Sequence, residues 1–222
     1  MSGPQWKPGS EGSLALSYLA IRRAIGVIGI SLPFVLLIGA WALDGVGVQG
    51  SISDYYYTVM RNVFVGSMVA NGVFFLSYRY ARADAALAAL IGLAAIGVAL
   101  FPTTPVLPTP GQIALGTVHF VSATVFFLAL AGYSFFIFTK TDPSTPMTPE
   151  KRKRNVLYRV SGILIVVCMA LIAVVNLLPT GAIANLQPVF WLETVASVSF
   201  GLSWLVKGET LLKDATGRAT TV

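Results

Sequence analysis

Long apolar runs separated by short polar stretches dominate the chain. Runs near 24–43, 59–78, 84–101, 112–138, 157–178 and 188–206 each approach the roughly 20 residues that carry a helix across about 30 Å of hydrocarbon. None shows the alternation of a barrel strand. The pattern predicts an all-α polytopic membrane protein with six transmembrane helices. A single membrane domain covers 21–207, with flexible tails at 1–20 and 208–222 rich in Gly, Ser, Thr and charge. The first run follows Arg22 and Arg23 but is too long for a signal-peptide core, and no small-residue cleavage site follows it, so it is expected to persist in the mature chain.

Composition agrees with this pattern. Of 222 residues, 55% are hydrophobic and 11% charged, against roughly a quarter charged in a soluble domain. The net charge of +6 does not imply nucleic acid, because the cations follow membrane topology. Lys7, Arg22 and Arg23, then Arg79 and Arg82, then the 140–159 cations, then Lys207, Lys213 and Arg218 fall on one side of the six runs, and Arg61 alone falls on the other. The positive-inside rule therefore predicts both termini in the cytoplasm. Cys168 and His119 are the only residues of their kinds. No intramolecular disulfide is possible, a zinc site lacks ligands, and no metal or cofactor is expected.

The inner connection at 139–155 carries prolines and then the block Lys151, Arg152, Lys153 and Arg154. This block reads either as a topology determinant or as a contact for anionic lipid. The third run is rich in Ala and Gly at small-xxx-small spacing, including Ala88 and Gly92, and is expected to pack closely at the centre of the bundle. Outer ends of the last two hairpins share Leu-x-Pro-Thr and a Gly-containing, uncharged return, a weak internal repeat.

Candidate chemistry collects on the outer side. With helix starts near Thr58, Gln112 and Pro188, Arg61, His119 and Glu193 lie about 5, 10 and 7 Å deep at 1.5 Å per residue. Ionisable groups in a span usually face the bundle interior and pair. The expectation is an outward-facing polar pocket in which Glu193 pairs with Arg61 or His119, with Asp54 competing for Arg61. Ligand-binding candidates are Asp54, Tyr56, Arg61, His119, Asn176 and Glu193. Asp44, Gln112 and Gln187 share the layer. Each also has a structural reading: Arg61 as a snorkelling cation, Tyr55, Tyr56, Tyr57 and Trp191 as an aromatic belt, and Asp54 in a capping box with Ser51. Asn71, deeper in the second run, is expected to make an interhelical hydrogen bond.

The stretch "SISDYYYTVMRNVFVG", with "HFVSATVFF" later, resembles a group of bacterial six-span proteins marked by Ser-Ile-Ser, a Tyr run, Arg and Phe-Val-Gly. More distantly, Ile52-Ser53-Asp54 before Phe64 and Gly66, with His119 in the fourth run, is similar to the family of damage-regulated autophagy modulators and glycosylphosphatidylinositol-anchor remodelling factors. Tyrosines stand where the distant family would have a Gly-containing turn. The resemblance covers the six-span plan and implies the cytoplasmic membrane of a bacterium. The zinc chemistry of the ceramidase-related membrane hydrolases uses three histidines and does not carry over to a chain with His119 alone.

Three functions fit, in this order. The first is an accessory or binding protein that holds a lipid headgroup or small polar ligand. The second is an intramembrane lipid hydrolase, with His119 as general base, Glu193 or Asp54 orienting it, and Ser51, Ser53 or Ser122 as nucleophile. The third is a small-molecule transporter, for which midplane helix breaks are wanting apart from Pro33. The expected partners are membrane lipids.

Overall fold

The computed structural model describes residues 10–78, 82–141, 144, 146–177 and 183–210. The main helices are α1 (Ser10–Asp44), α2 (Arg61–Ser77), α3 (Arg82–Leu100), α4 (Pro110–Gly132), α5 (Pro149–Leu177) and α6 (Pro188–Lys207). A π-helical turn, Tyr133–Ile137, continues α4, and 3-10 turns occupy Ser53–Tyr57 and Ala184–Leu186. Among the described residues there is no strand. The protein is all-α, as expected. By length and composition, four segments can cross a membrane: Tyr18–Asp44, Pro110–Ile137, α5 and α6. Asp84–Leu100 is a shorter apolar helix, and the 17 residues of α2 rise about 25 Å.

Helix starts differ from the sequence reading for local reasons. α1 begins at Ser10, inside the segment expected to be a tail. α5 begins at Pro149, where proline suits a first turn, and the Thr148 hydroxyl accepts the Lys151 N–H at 3.1 Å. The basic block is thus the first turns of a helix. The Lys151 Nζ donates to the Phe138 carbonyl at 2.9 Å, while Arg152 and Lys153 are exposed. Residues 211–222 lie outside the described residues, as do 178–182 of the connection between α5 and α6.

α1 packs on α2, each helix packs on the next in chain order, and α6 closes the ring against α1. α3 is therefore one stave of this ring, flanked by α2 and α4, and not the central helix expected from its small residues. The close approach those residues promise is real. A Cβ on Gly92 would lie 2.7 Å from the Gly72 carbonyl, and one on Gly72 would lie 2.9 Å from the Gly92 carbonyl. Gly26 and Gly201 do the same for α1 and α6, at 2.9 and 2.7 Å. In lipid, where apolar burial gives no drive between helices, such contacts hold them together.

The interior is filled with rings. Trp204, 1% exposed, meets Phe75, Tyr78 and Phe138 edge-on at centroid distances of 5.0, 5.4 and 5.1 Å. Nearby, Arg22 donates to the Tyr78 hydroxyl at 2.7 Å, Arg23 to the Gly208 carbonyl at 3.0 Å, and Lys140 pairs with buried Asp84 at 2.6 Å. Cations placed on one side by the sequence pattern thus gather at one end of the bundle. The opposite end carries the candidate site.

Candidate functional site

The turn Ser53–Tyr57 forms the roof, and its three tyrosines act as separate struts. Tyr55 is fully buried and packs against Phe190 at 5.9 Å, pinning the turn to the start of α6. Tyr57 is half exposed and donates from its hydroxyl to the Thr103 carbonyl at 2.5 Å, pinning it to the 101–109 loop. Tyr56 accepts a hydrogen bond from Arg61, whose guanidinium lies 4.2 Å from the Tyr56 ring centre. Burial raises the phenol pKa of both Tyr55 and Tyr57. The belt reading thus fails for Tyr55, a core residue, while Trp191 is half exposed, as a belt residue would be.

The chain enters this turn through a glycine whose geometry matters. Gly45 has φ +65°, and its N–H reaches the Trp41 carbonyl at 3.0 Å, the left-handed stop that ends α1. Ser51 then accepts the Asp54 N–H at 3.1 Å, which bears out half of the capping box. The Asp54 carboxylate does not complete the box, and it does not reach for Arg61. It accepts from the Thr103 hydroxyl at 2.8 Å.

Strapping the turn to α6 carries the Ile52 N–H onto Glu193 Oε2 at 2.7 Å. This overturns the expected partnership. Arg61 forms no ion pair with a described residue; it is exposed at the first position of α2 because the Thr58 carbonyl and hydroxyl accept the N–H groups of Arg61 and Met60. Arg61, His119 and Glu193 lie zero, nine and five residues past their observed helix starts, so the single shallow layer dissolves into rises of about 0, 14 and 7 Å. A backbone donor serves the carboxylate in place of a cation.

His119 is buried, and its Nδ1 lies 2.6 Å from the Phe101 carbonyl. A carbonyl only accepts, so Nδ1 carries a proton, and the Val98 carbonyl also hydrogen-bonds the ring. Ser122 faces elsewhere: its Oγ would stand 2.5 Å from a Cβ on Gly97, which places it in the α3–α4 contact and away from the cavity. No described serine hydroxyl donates to His119, so the nucleophile–base contact required of the hydrolase reading is not formed.

What the fold does bring together is Ser51, Ser53, Thr103, His119, Asn176 and Glu193, lining one cavity of about 130 Å³. Five of these were legible as polar residues of the outer side. Thr103 was missed, its signal hidden in a Pro-Thr-rich loop whose fold the sequence does not specify. Arg61, Tyr56 and Tyr57 line a separate open groove with Gln112, bordered by the same Thr103. Gln112 also caps α4 through a reciprocal box with Thr109. Gln187, left-handed at φ 48°, precedes α6, and Asp44 is exposed at the end of α1.

A second, smaller cavity of about 40 Å³ lies inward of Glu193, reached by Ser53, Ser197 and Asn71. Asn71 is 2% exposed and its Oδ1 has no partner among the described residues, so the interhelical hydrogen bond expected of it is not made through that atom. Ser197 donates to the Gly29 carbonyl at 2.7 Å and so ties α6 to α1. Among the described residues no cluster of three or more His, Cys, Asp or Glu could hold a metal.

No protein-family model matches this chain, and neither the curated proteins nor the solved structures offer a match. The fold defines it as an all-helical protein with four helices long and apolar enough to cross a membrane, and the cavity carries any further reading.

Proposed function

We propose that this is a six-span protein of the bacterial cytoplasmic membrane, with both termini inside, that binds a lipid headgroup bearing an ammonium group in its outward-facing cavity. Its role is binding or accessory, and the likeness to the Ser-Ile-Ser/Tyr-run group belongs to the same proposal. One observation carries the reading: the cavity presents acceptors and a carboxylate, yet no Lys or Arg lines it. Glu193 and the Asn176 amide oxygen offer lone pairs, and the Ser51 and Ser53 hydroxyls adapt to either role. A group with three donors and a positive charge satisfies them together.

The chain-free headgroup, glycerophosphoethanolamine, tests the cavity on the purified protein by calorimetry, with glycerophosphate as the anionic comparison. Saturable binding of the first, weakened about tenfold or more by Glu193→Gln, is expected, since a hydrogen bond to a charged group contributes about 1.5–3 kcal/mol. Equal binding of both compounds, indifferent to Glu193, would refute it. The topology is tested by single cysteines at Gly45 and Thr109, which should label from outside, and at Ser144, which should not. Asp84 is unsuitable as a reporter because its ion pair buries it.

A further inference from the structure

The polar cavity adjoins a second depression on the α4–α5 face. Four of its lining residues, Phe120 and Thr124 of α4 with Met169 and Ile172 of α5, also line a second depression between the same two helices, about 320 Å³ in volume. Beyond them this groove is continued by Leu128, Val166, Ala170 and Ala173, so that apart from the Thr124 hydroxyl its walls are apolar. Phe120, Thr124 and Leu128 stand four residues apart and form one stripe of α4, about 12 Å long. On the facing helix, Ala170 and Ala173 are small and exposed, and their lack of bulk makes the depression.

Building on the headgroup reading, we infer that the ligand is an amphipathic lipid bound as one molecule across both spaces. Its ammonium headgroup occupies the cavity under Ser51 and Ser53, and an acyl chain descends the α4–α5 groove past Phe120, Thr124 and Leu128. The walls that the two spaces share select this occupant. A wholly water-soluble amine would leave the groove unused, and an ordinary boundary lipid would use the groove with its headgroup outside the helix ring. Entry is lateral, between α4 and α5, because the roof above the cavity is strapped down by Tyr55 on α6 and Tyr57 on the 101–109 loop.

Ala173→Trp and, separately, Ala170→Trp fill the groove at exposed positions where a larger side chain is tolerated, leaving the polar cavity intact. Binding of a phosphatidylethanolamine to the purified full chain is followed by native mass spectrometry, and glycerophosphoethanolamine binding by calorimetry on the same samples. Expected is a loss of about tenfold or more in lipid affinity in both variants, because a filled groove excludes the chain, with the chain-free headgroup bound as in the wild type. The loss should shrink in a Glu193→Gln background, since groups contacting one ligand are coupled. Unchanged lipid affinity in both Trp variants, or a loss fully additive with Glu193→Gln, overturns the inference and assigns the groove to boundary lipid. A change of oligomeric state in both variants overturns it in favour of a second copy of the chain. In each case glycerophosphoethanolamine binding still reports on the headgroup reading alone.

Discussion

Replacing Glu193 separates the partnership the sequence suggests from the one the fold makes. Glu193→Ala strips the acceptor from the Ile52 N–H, a bond of 2.7 Å beside a residue only 7% exposed. A buried donor left unsatisfied costs about 1–3 kcal/mol. At about 2–4 °C per kcal/mol for a chain of this size, the melting temperature in detergent should fall by roughly 2–12 °C. Glu193→Gln keeps a carbonyl acceptor on nearly the same atom and should lose less than Glu193→Ala. Arg61→Ala removes an exposed contact with the Tyr56 ring, worth about 0.5–1 kcal/mol. Arg61 and Glu193 share no bond, so the double mutant should equal the sum of the singles within about 0.5 kcal/mol. The assay is chemical or thermal unfolding of the four proteins in one detergent. A coupling above about 1 kcal/mol would refute the reasoning and restore an Arg61–Glu193 ion pair.

Three further outcomes follow from the packing. Gly201→Val should destabilise by about 1–3 kcal/mol or more by driving α6 off Gly26, whereas Gly66→Ala, whose Cβ meets nothing within 4 Å, should be neutral or stabilising; equal effects in denaturant titrations would contradict the close crossing. Asn71→Leu should hold or raise stability, because it replaces a buried amide oxygen that has no partner; a clear loss in the same titration would mean that the amide is satisfied. The pKa of Tyr55 and Tyr57 is raised in the fold, so the unfolded chain ionises first: stability from these groups is fully present below their ordinary value of 10.0 and declines as pH rises through it. Tyr55→Phe/Tyr57→Phe should blunt that alkaline loss in a pH series of melting curves, and an unchanged slope would count against it.

The sequence by itself determined what depends on local pattern. Apolar run length sets the number of helices and nearly all their ends, because a helix satisfies its own backbone and needs only a stretch of suitable composition. The charge bias likewise marked the end of the bundle where Arg22, Arg23, Lys140 and Lys151 are found. Most polar residues of the cavity were legible too, since Ser51, His119, Asn176 and Glu193 are polar exceptions near the ends of apolar runs, whereas Thr103 was not. Their partners were not. Pairing Glu193 with Arg61 assumed that opposite charges at similar depth find each other, but depth says nothing about position around the ring. Tertiary structure decided that. Tyr55 packing on Phe190 delivers the Ile52 N–H to Glu193, while the Thr58 cap leaves Arg61 at the surface with Tyr56. Small residues told the same half-story: they marked Gly92 for close contact without naming Gly72 across from it, and they could not reveal that α3 is a stave of a closed ring. Which faces meet depends on the rotation of each helix and on loops held by long-range bonds, and neither is written in a local window of sequence.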